Sequence, residues 1–314
     1  MKKPIIFSVL ILAMVLLGCK KVELKLFQPP EINGQLTRMY VFNTGKIQFP
    51  YSIFYSKEEW QEIKKLFPER IKGEKVWLSV PSYLLEYSDS SLIAINPGLS
   101  SMSNQKPSKA FGFIFSRLFP VKVEEGKDLY SQMQAHNLDI GKLKAMIFTH
   151  LHIGDISGLI DMKKFGDVMF YTINEEWQDI QKSFGIFKGY RFEYFKQIDK
   201  VYGLTFKPST DFYPFSEARD FLGDNSIIIF KTPGHSSGHL SFLIQGKDKS
   251  YLIPAGAAKN FPSFSYLQYS LSEEKSKESV NNLKEFKIKQ PHVKFLMDHD
   301  PFDWEIDDFL IIDF

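Results

Sequence analysis

One cysteine, Cys19, is present in 314 residues, so no disulfide can form within the chain and packing must supply its stability. Excess charge of either sign is also missing. The 39 Lys and Arg stand against 37 Asp and Glu, and Lys2 and Lys3 account for the difference, which leaves no electrostatic case for a nucleic-acid partner. After Cys19 no stretch is apolar for 18 residues, so the body of the chain offers no candidate membrane-spanning helix. Repeats of 20 to 50 residues and low-complexity tracts are absent too, which removes solenoids and disordered arrays. Histidine is scarce, at 7 copies. Apolar material is abundant: 44% of residues are hydrophobic, with 30 Phe and 14 Tyr, while 19 Gly and 16 Pro are scattered along the chain. That combination describes a loop-rich folded protein with a large core.

The first residues read as an export signal. Lys2 and Lys3 form a positive n-region, and the nearly unbroken apolar run from Pro4 to Gly18 is too short to span a bilayer comfortably. It ends in Leu16-Leu17-Gly18-Cys19, which resembles the lipobox of bacterial lipoprotein precursors. The resemblance implies cleavage before Cys19 and a diacylglycerol on its sulfur, and a lipidated residue accounts for the single thiol. Residues 1–18 are then expected to be a signal peptide, 19–27 a lipidated tether and 28–314 one folded domain, held at a membrane of the bacterial cell envelope.

Periodicity places the elements of that domain. Met39 to Phe42 and Lys46 to Phe49 predict two strands around a turn at Asn43-Thr44-Gly45. Ser56 and Glu59 have capping-box spacing ahead of Trp60, Ile63 and Phe67, which predicts an amphipathic helix. Val76 to Glu86 and Leu92 to Ile95 read as a hairpin turning at Ser88-Asp89-Ser90. Ala145 to Thr149 and Val168 to Thr172 read as buried strands, and Asn174 starts a helix. Ser226 to Lys231, Leu240 to Gln245 and Ser250 to Pro254 form a second series of strands. A helix capped by Ser272 then runs toward Phe286, and Val293 to Met297 is read as the last strand. Strands in two blocks, each followed by helices, predict two sheets with helices outside them. The segment from Phe184 to Phe221 gives no secure pattern. The aromatics between Phe184 and Tyr213 read more readily as core than as the wall of a pocket for an acyl or other apolar substrate.

Four histidines follow predicted strands, where α/β sheets place ligand-binding groups. His150-Leu151-His152 comes after the strand ending at Thr149, and two imidazoles one residue apart can converge on one ion. His235 lies in Thr232-Pro233-Gly234-His235, a sharp turn past Lys231, with His239 shortly beyond. His299 follows the last predicted strand in Asp298-His299-Asp300-Pro301. His239 reads as structural, its ring bonded to backbone in the turn. His136 and His292 carry no motif.

The stretches Thr149-His150-Leu151-His152-Ile153-Gly154-Asp155-Ile156-Ser157-Gly158, Thr232-Pro233-Gly234-His235 with Gly238-His239, and Asp298-His299-Asp300-Pro301 together resemble the metallo-β-lactamase superfamily, over most of residues 28–314. The general look is closest to its lactone and ester hydrolases. The resemblance implies an α/β fold, an αββα sandwich of two mixed β-sheets flanked by helices. It also implies a first metal site at His150, His152 and His235. Three acidic positions of the family pattern are lost here: Gly154 stands where Asp is expected, Ala257 where a metal-bridging Asp is expected, and Asn96 at an early Asp. Asp155 stands where the pattern has His. The second metal site would retain His299, with Asp155 as a substitute ligand, so the expectation is one metal ion, zinc, rather than two. Catalytic roles then fall to Asp155 as base and His299 near the leaving group of an ester or lactone substrate. The competing expectation is a non-catalytic descendant that uses the cleft to bind a ligand or partner. Lys259 could place an ammonium at the emptied position of Ala257, though a solvated loop lysine is the plainer expectation.

Overall fold

A computed structural model describes residues 22–314 apart from 70, 72, 165, 183–188, 199, 261–262 and 300–308. The signal sequence, Cys19, Phe184 and Asp300 therefore lie outside the described residues. Strands β1 (Leu24–Lys25), β2 (Leu36–Pro50), β3 (Lys75–Tyr87), β4 (Leu92–Ile95), β5 (Val121–Lys122), β6 (Leu143–Ile147), β7 (Met169–Thr172) and β8 (Val201–Gly203) belong to a first, mixed sheet. The second sheet holds β9 (Lys207–Pro208), β10 (Glu217–Asp220), β11 (Ile227–Lys231), β12 (Leu240–Gln245), β13 (Ser250–Ile253) and β14 (Lys294–Phe295). The chain then returns to the first sheet, where β15 (Phe309–Asp313) pairs antiparallel with β2. The first sheet runs β1-β8-β7-β6-β4-β3-β2-β15 with β5 beside β2, and the second runs β14-β13-β12-β11-β10-β9.

Helices α1 (Lys57–Leu66), α2 (Met102–Gln105), α3 (Pro107–Phe111), α4 (Phe113–Leu118), α5 (Leu129–Ala135), α6 (Ile153–Ile156), α7 (Asn174–Ile180) and α8 (Glu273–Lys289) connect the strands. None of the described helices is long and apolar enough to cross a membrane. The capping box forms as the spacing predicts: Ser56 Oγ accepts from Glu59 N at 3.1 Å and Glu59 Oε2 from Ser56 N at 2.8 Å. It starts α1, which buries Trp60 and Ile63.

Strand alternation sorts the core into layers. Val41, Leu85, Ile95 and Ile147 of the first sheet meet Ile227, Ile229, Phe242 and Ile253 of the second in a central core. The alternate residues of β11 and β12, Ile228, Phe230 and Leu243, face outward and are covered by Val280, Leu283 and Phe286 of α8. On the other side Leu84, Met146 and Phe170 pack beneath Met133 of α5 and Trp177 and Ile180 of α7. The result is the αββα sandwich that the sequence resemblance implied.

Three elements depart from the sequence reading. No turn divides residues 39–49; β2 is continuous and carries a bulge between Asn43 and Lys46 against β3. Asn43 Oδ1 accepts from Gly45 N at 3.1 Å and Thr44 Oγ1 donates to Val80 O at 2.7 Å, so the polar trio satisfies itself within the sheet instead of reversing the chain. The strand at 293–297 shrinks to two residues and is not the last, because β15 follows it. Its Phe309, Leu310 and Ile312 follow an acidic stretch of sequence, and the strand is defined by its pairing with β2. Tyr190, Tyr194 and Phe195 are buried in the layer beneath α7, in keeping with the core reading of that segment.

Candidate metal centre

The loops after β4, β6, β11 and β14 converge at one end of the sandwich. β6 hands the chain to Thr149, whose N–H donates to Asn96 Oδ1 at 3.0 Å while Asn96 Nδ2 donates to Thr149 Oγ1 at 2.8 Å. The same hydroxyl meets His150 Nδ1 at 2.9 Å. Asn96, at a position that lost its expected acid, thus fixes the His150 ring and leaves Nε2 aimed inward, buried and without a hydrogen bond. An amide suits this work because it donates and accepts at once, which a carboxylate cannot do.

His150, His152 and His235 offer ligand atoms that all lie within 4.8 Å of one another. His152 Nδ1 and His235 Nε2 are 3.1 Å apart, close to the separation of about 3.4 Å that two nitrogens bound to one tetrahedral zinc at 2.0–2.1 Å would have. His235 Nδ1 donates to Tyr269 O at 3.2 Å, which fixes the tautomer with a lone pair on Nε2. Burial, reinforced by the neighbouring histidines, holds His152 well below the ordinary imidazole pKa and His235 down at about 3. Both rings are therefore neutral, the form in which imidazole ligates a metal. These donors, with one inward nitrogen orphaned, fit a metal ion.

Beside them, Asp155 Oδ2 lies 3.2 Å from His150 Nε2, and Oδ1 lies 3.3 Å from His299 Nε2. Asp155 thus faces the cluster, as its candidate role requires. Burial pushes its carboxyl up, but the neighbouring imidazoles of His150 and His299 prevail and hold it well below the usual carboxylate range. Burial opposes charge on His299 as well, and contact with Asp155 outweighs it, raising His299 to about 9. His299 Nδ1 donates to Ser79 O at 2.7 Å. Asp298 is buried, 1% exposed, and accepts from Tyr83 Oη at 2.6 Å.

Two other expectations change. His239 bonds through Nδ1 to the Thr232 hydroxyl at 2.9 Å, a side chain and not the backbone, and its ring lies 5.2 Å from that of His150. Lys259 is neither solvated nor a substitute charge at the metal site. It is 1% exposed and pairs with Glu59 Oε1 at 2.5 Å and Ser265 Oγ at 2.8 Å. The chain at Gly256 passes so close to His235 that a Cβ there would sit 2.7 Å from its ring.

Glu176 was missed. Wholly buried on α7, it accepts from Leu151 N at 2.9 Å and Gly238 N at 2.8 Å, and Tyr190 Oη reaches it at 3.3 Å. One carboxylate therefore ties the His150–His152 loop to the His235–His239 turn. Gly238 has to be glycine, since a Cβ there would stand 2.4 Å from Ile173 and 3.0 Å from Glu176. No sequence signal marks Glu176, which sits in an acidic first turn like many solvated glutamates.

A cavity of about 310 Å³ opens over the cluster. His152, Asp155, His235 and His299 form its polar end, and Ile47, Phe49, Phe54, Leu78, Phe115 and Leu267 line its apolar walls.

The sequence matches no known protein-family profile and no curated protein. Solved structures do match. AiiA of B. thuringiensis, solved with N-decanoyl-L-homoserine at its active site, superposes with a TM-score of 0.63 at 17% identity, over 85% of this chain and 95% of that one. AidC, a dizinc quorum-quenching lactonase solved with N-hexanoyl-L-homoserine, gives 0.59 at 13% identity over 92% and 97%. AbOPH, a hydrolase of the β-lactamase superfamily, gives 0.58 at 15% identity over 90% and 98%. At these identities the likeness is one of fold, the metallo-β-lactamase fold.

Proposed function

We propose that this protein is a mononuclear zinc hydrolase that opens a lactone or ester bearing an apolar acyl group. We further propose that it is exported and anchored to a membrane of the cell envelope by lipid on Cys19. The observation that carries the first part is the meeting of His150, His152 and His235 at the polar end of an otherwise apolar cavity. Lactone hydrolysis by proteins of the same fold supports the reaction class, and the product at the metal centre of one such hydrolase supports the placement of substrate in this cleft. The Leu-Leu-Gly-Cys motif supports the anchor.

The three histidines would hold the ion, which when bound supplies Lewis acidity at the carbonyl. The chain's own groups do the rest. The apolar walls hold the acyl portion and keep bulk water from it. Asp155, ionised and facing the cluster, accepts a proton from the attacking water. His299, kept protonated by Asp155 and oriented by Ser79, donates a proton to the departing alkoxide. A single ion is proposed because the emptied positions at Gly154 and Ala257 carry no donor side chain and the remaining second-site groups, Asp155 and His299, satisfy each other.

The decisive measurement is metal content together with turnover. The full chain, purified from zinc-supplemented medium, is expected to hold about one equivalent of zinc, as a structured three-histidine site should, and to open N-acyl lactones. Zinc below about 0.2 equivalents would remove the hydrolase reading in favour of a ligand-binding cleft, since a built zinc site binds far more tightly than that.

A further inference from the structure

The helices beside the cavity turn apolar side chains to solvent as well as toward the core. Inward, Phe115 of α4 packs on Phe111 at 5.6 Å and Phe119 at 4.7 Å between ring centroids, and Phe119 reaches Phe49 at 4.9 Å. That accounts for the core-facing side of a six-residue helix. Outward, Phe113, Ile114 and Leu118 are 60%, 56% and 60% exposed. A surface helix normally turns polar residues to that side, so a helix apolar on both faces points to an apolar occupant.

Charge narrows the occupant. From residue 101 to 122 the sequence has Lys106, Lys109, Arg117 and Lys122 and no acidic residue, although the whole chain is nearly balanced. Lys122 is paired with Glu124 at 3.2 Å, while Lys106 and Lys109 are exposed and Arg117 lies over the Phe113 ring at 4.1 Å. Three exposed apolar side chains and three exposed cations thus share residues 106–118. A stable protein partner usually covers about 800 Å² per side, more than three side chains offer. A bilayer asks for less: apolar side chains buried at the acyl boundary and cations at anionic headgroups.

We propose that α3 and α4 form a docking surface for an anionic lipid bilayer, with Phe113, Ile114 and Leu118 inserted and Lys106, Lys109 and Arg117 at the headgroups. Ile114 and Leu118 also line the cavity, so docking places its apolar wall against the membrane. The surface stands independently of the hydrolase reading, and its test involves no turnover.

In the full chain with Cys19→Ser, Ile114→Cys gives a single thiol for an environment-sensitive fluorophore, and Lys275→Cys on α8 serves as a control site. The probes are vesicles of phosphatidylcholine with and without phosphatidylglycerol, each also prepared with brominated acyl chains as a quencher. The expected result is a blue shift and bromolipid quenching at position 114 with phosphatidylglycerol, neither at position 275. The shift should fall at least about tenfold at equal lipid when Lys106, Lys109 and Arg117 are replaced by Glu, given roughly 1 kcal/mol per basic residue near an anionic surface. A fluorophore at 114 that stays in water on vesicle-bound protein overturns the proposal, because the amino-terminal segment would then be holding the chain alone. Equal insertion into neutral vesicles overturns the anionic assignment. Shielding of position 114 before lipid is added overturns the docking surface in favour of a patch covered by residues 1–21 or by a second copy.

Discussion

On one side of the cleft, His150, His152 and His235 turn their rings toward a common point, each held from behind by Thr149, by the loop tied to Glu176 or by the Tyr269 carbonyl. Beside them, Asp155 and His299 face each other as a charged pair. The two groups stand side by side, yet one gathers ring nitrogens within reach of a single ion and the other is an ion pair satisfied internally. Gathered neutral donors suit a metal; groups that neutralise one another suit it less.

The largest break in this comparison is expected from His150→Ala combined with His235→Ala. Zinc content should drop below about 0.1 equivalents and lactone hydrolysis by about 10³-fold or more, the scale on which catalytic electrostatics act. Unchanged circular dichroism would show that the fold survives. Turnover retained by the double variant would strike out the assigned roles. Next in size is Asp155→Asn, which should lower kcat by roughly 10²- to 10⁴-fold, the usual share of a general base, while zinc stays bound. Loss of the metal instead would move Asp155 into the ligand set.

A smaller effect follows from Glu176→Gln, whose single carbonyl oxygen cannot accept from both Leu151 and Gly238 as the carboxylate does. Zinc affinity should weaken roughly 10- to 100-fold, as for groups that orient metal ligands, and competition with a chelator reads this directly. An unaltered affinity would mean that the two loops hold their positions without it.

The smallest effect is on the pH dependence of stability in metal-free protein. His299 sits near 9 when folded, above its ordinary 6.5, so its stabilisation is complete below about pH 6.5 and fades as pH rises through about 9. Asp155, held below its ordinary 3.8, stabilises above about pH 4 and loses its contribution on acidification. His299→Gln should therefore flatten the alkaline fall in Tm by a few degrees. An alkaline limb identical to that of the parent chain would refute the ion pair.

Much of this was legible in sequence where the signal is local. The capping box at Ser56 and Glu59, the hairpin turning at Asp89 and the strands before His150 and His235 all depend on neighbours within a few residues. The bulge at Asn43-Thr44-Gly45 was misread because those residues suit a turn equally well, and only pairing of both halves with β3 decides between the two. β15 was missed because nothing local distinguishes it; its partner β2 lies more than 250 residues earlier. Within the site the three clustered histidines followed from motif and order, whereas the duties of Asn96, Lys259 and Glu176 did not.

By itself the sequence determined which residues have the chemistry to ligate a metal, that two layers of strands would need helices outside them, and that an apolar amino-terminal run ends at the one cysteine. Those properties reside in side-chain type and short-range periodicity. Tertiary structure alone decided that Asp155 faces His299, that Asn96 and Glu176 work as braces, and that Lys259 is committed to Glu59. The role of a buried polar group is set by whichever partner satisfies it, and here the partners come from segments far apart in the chain.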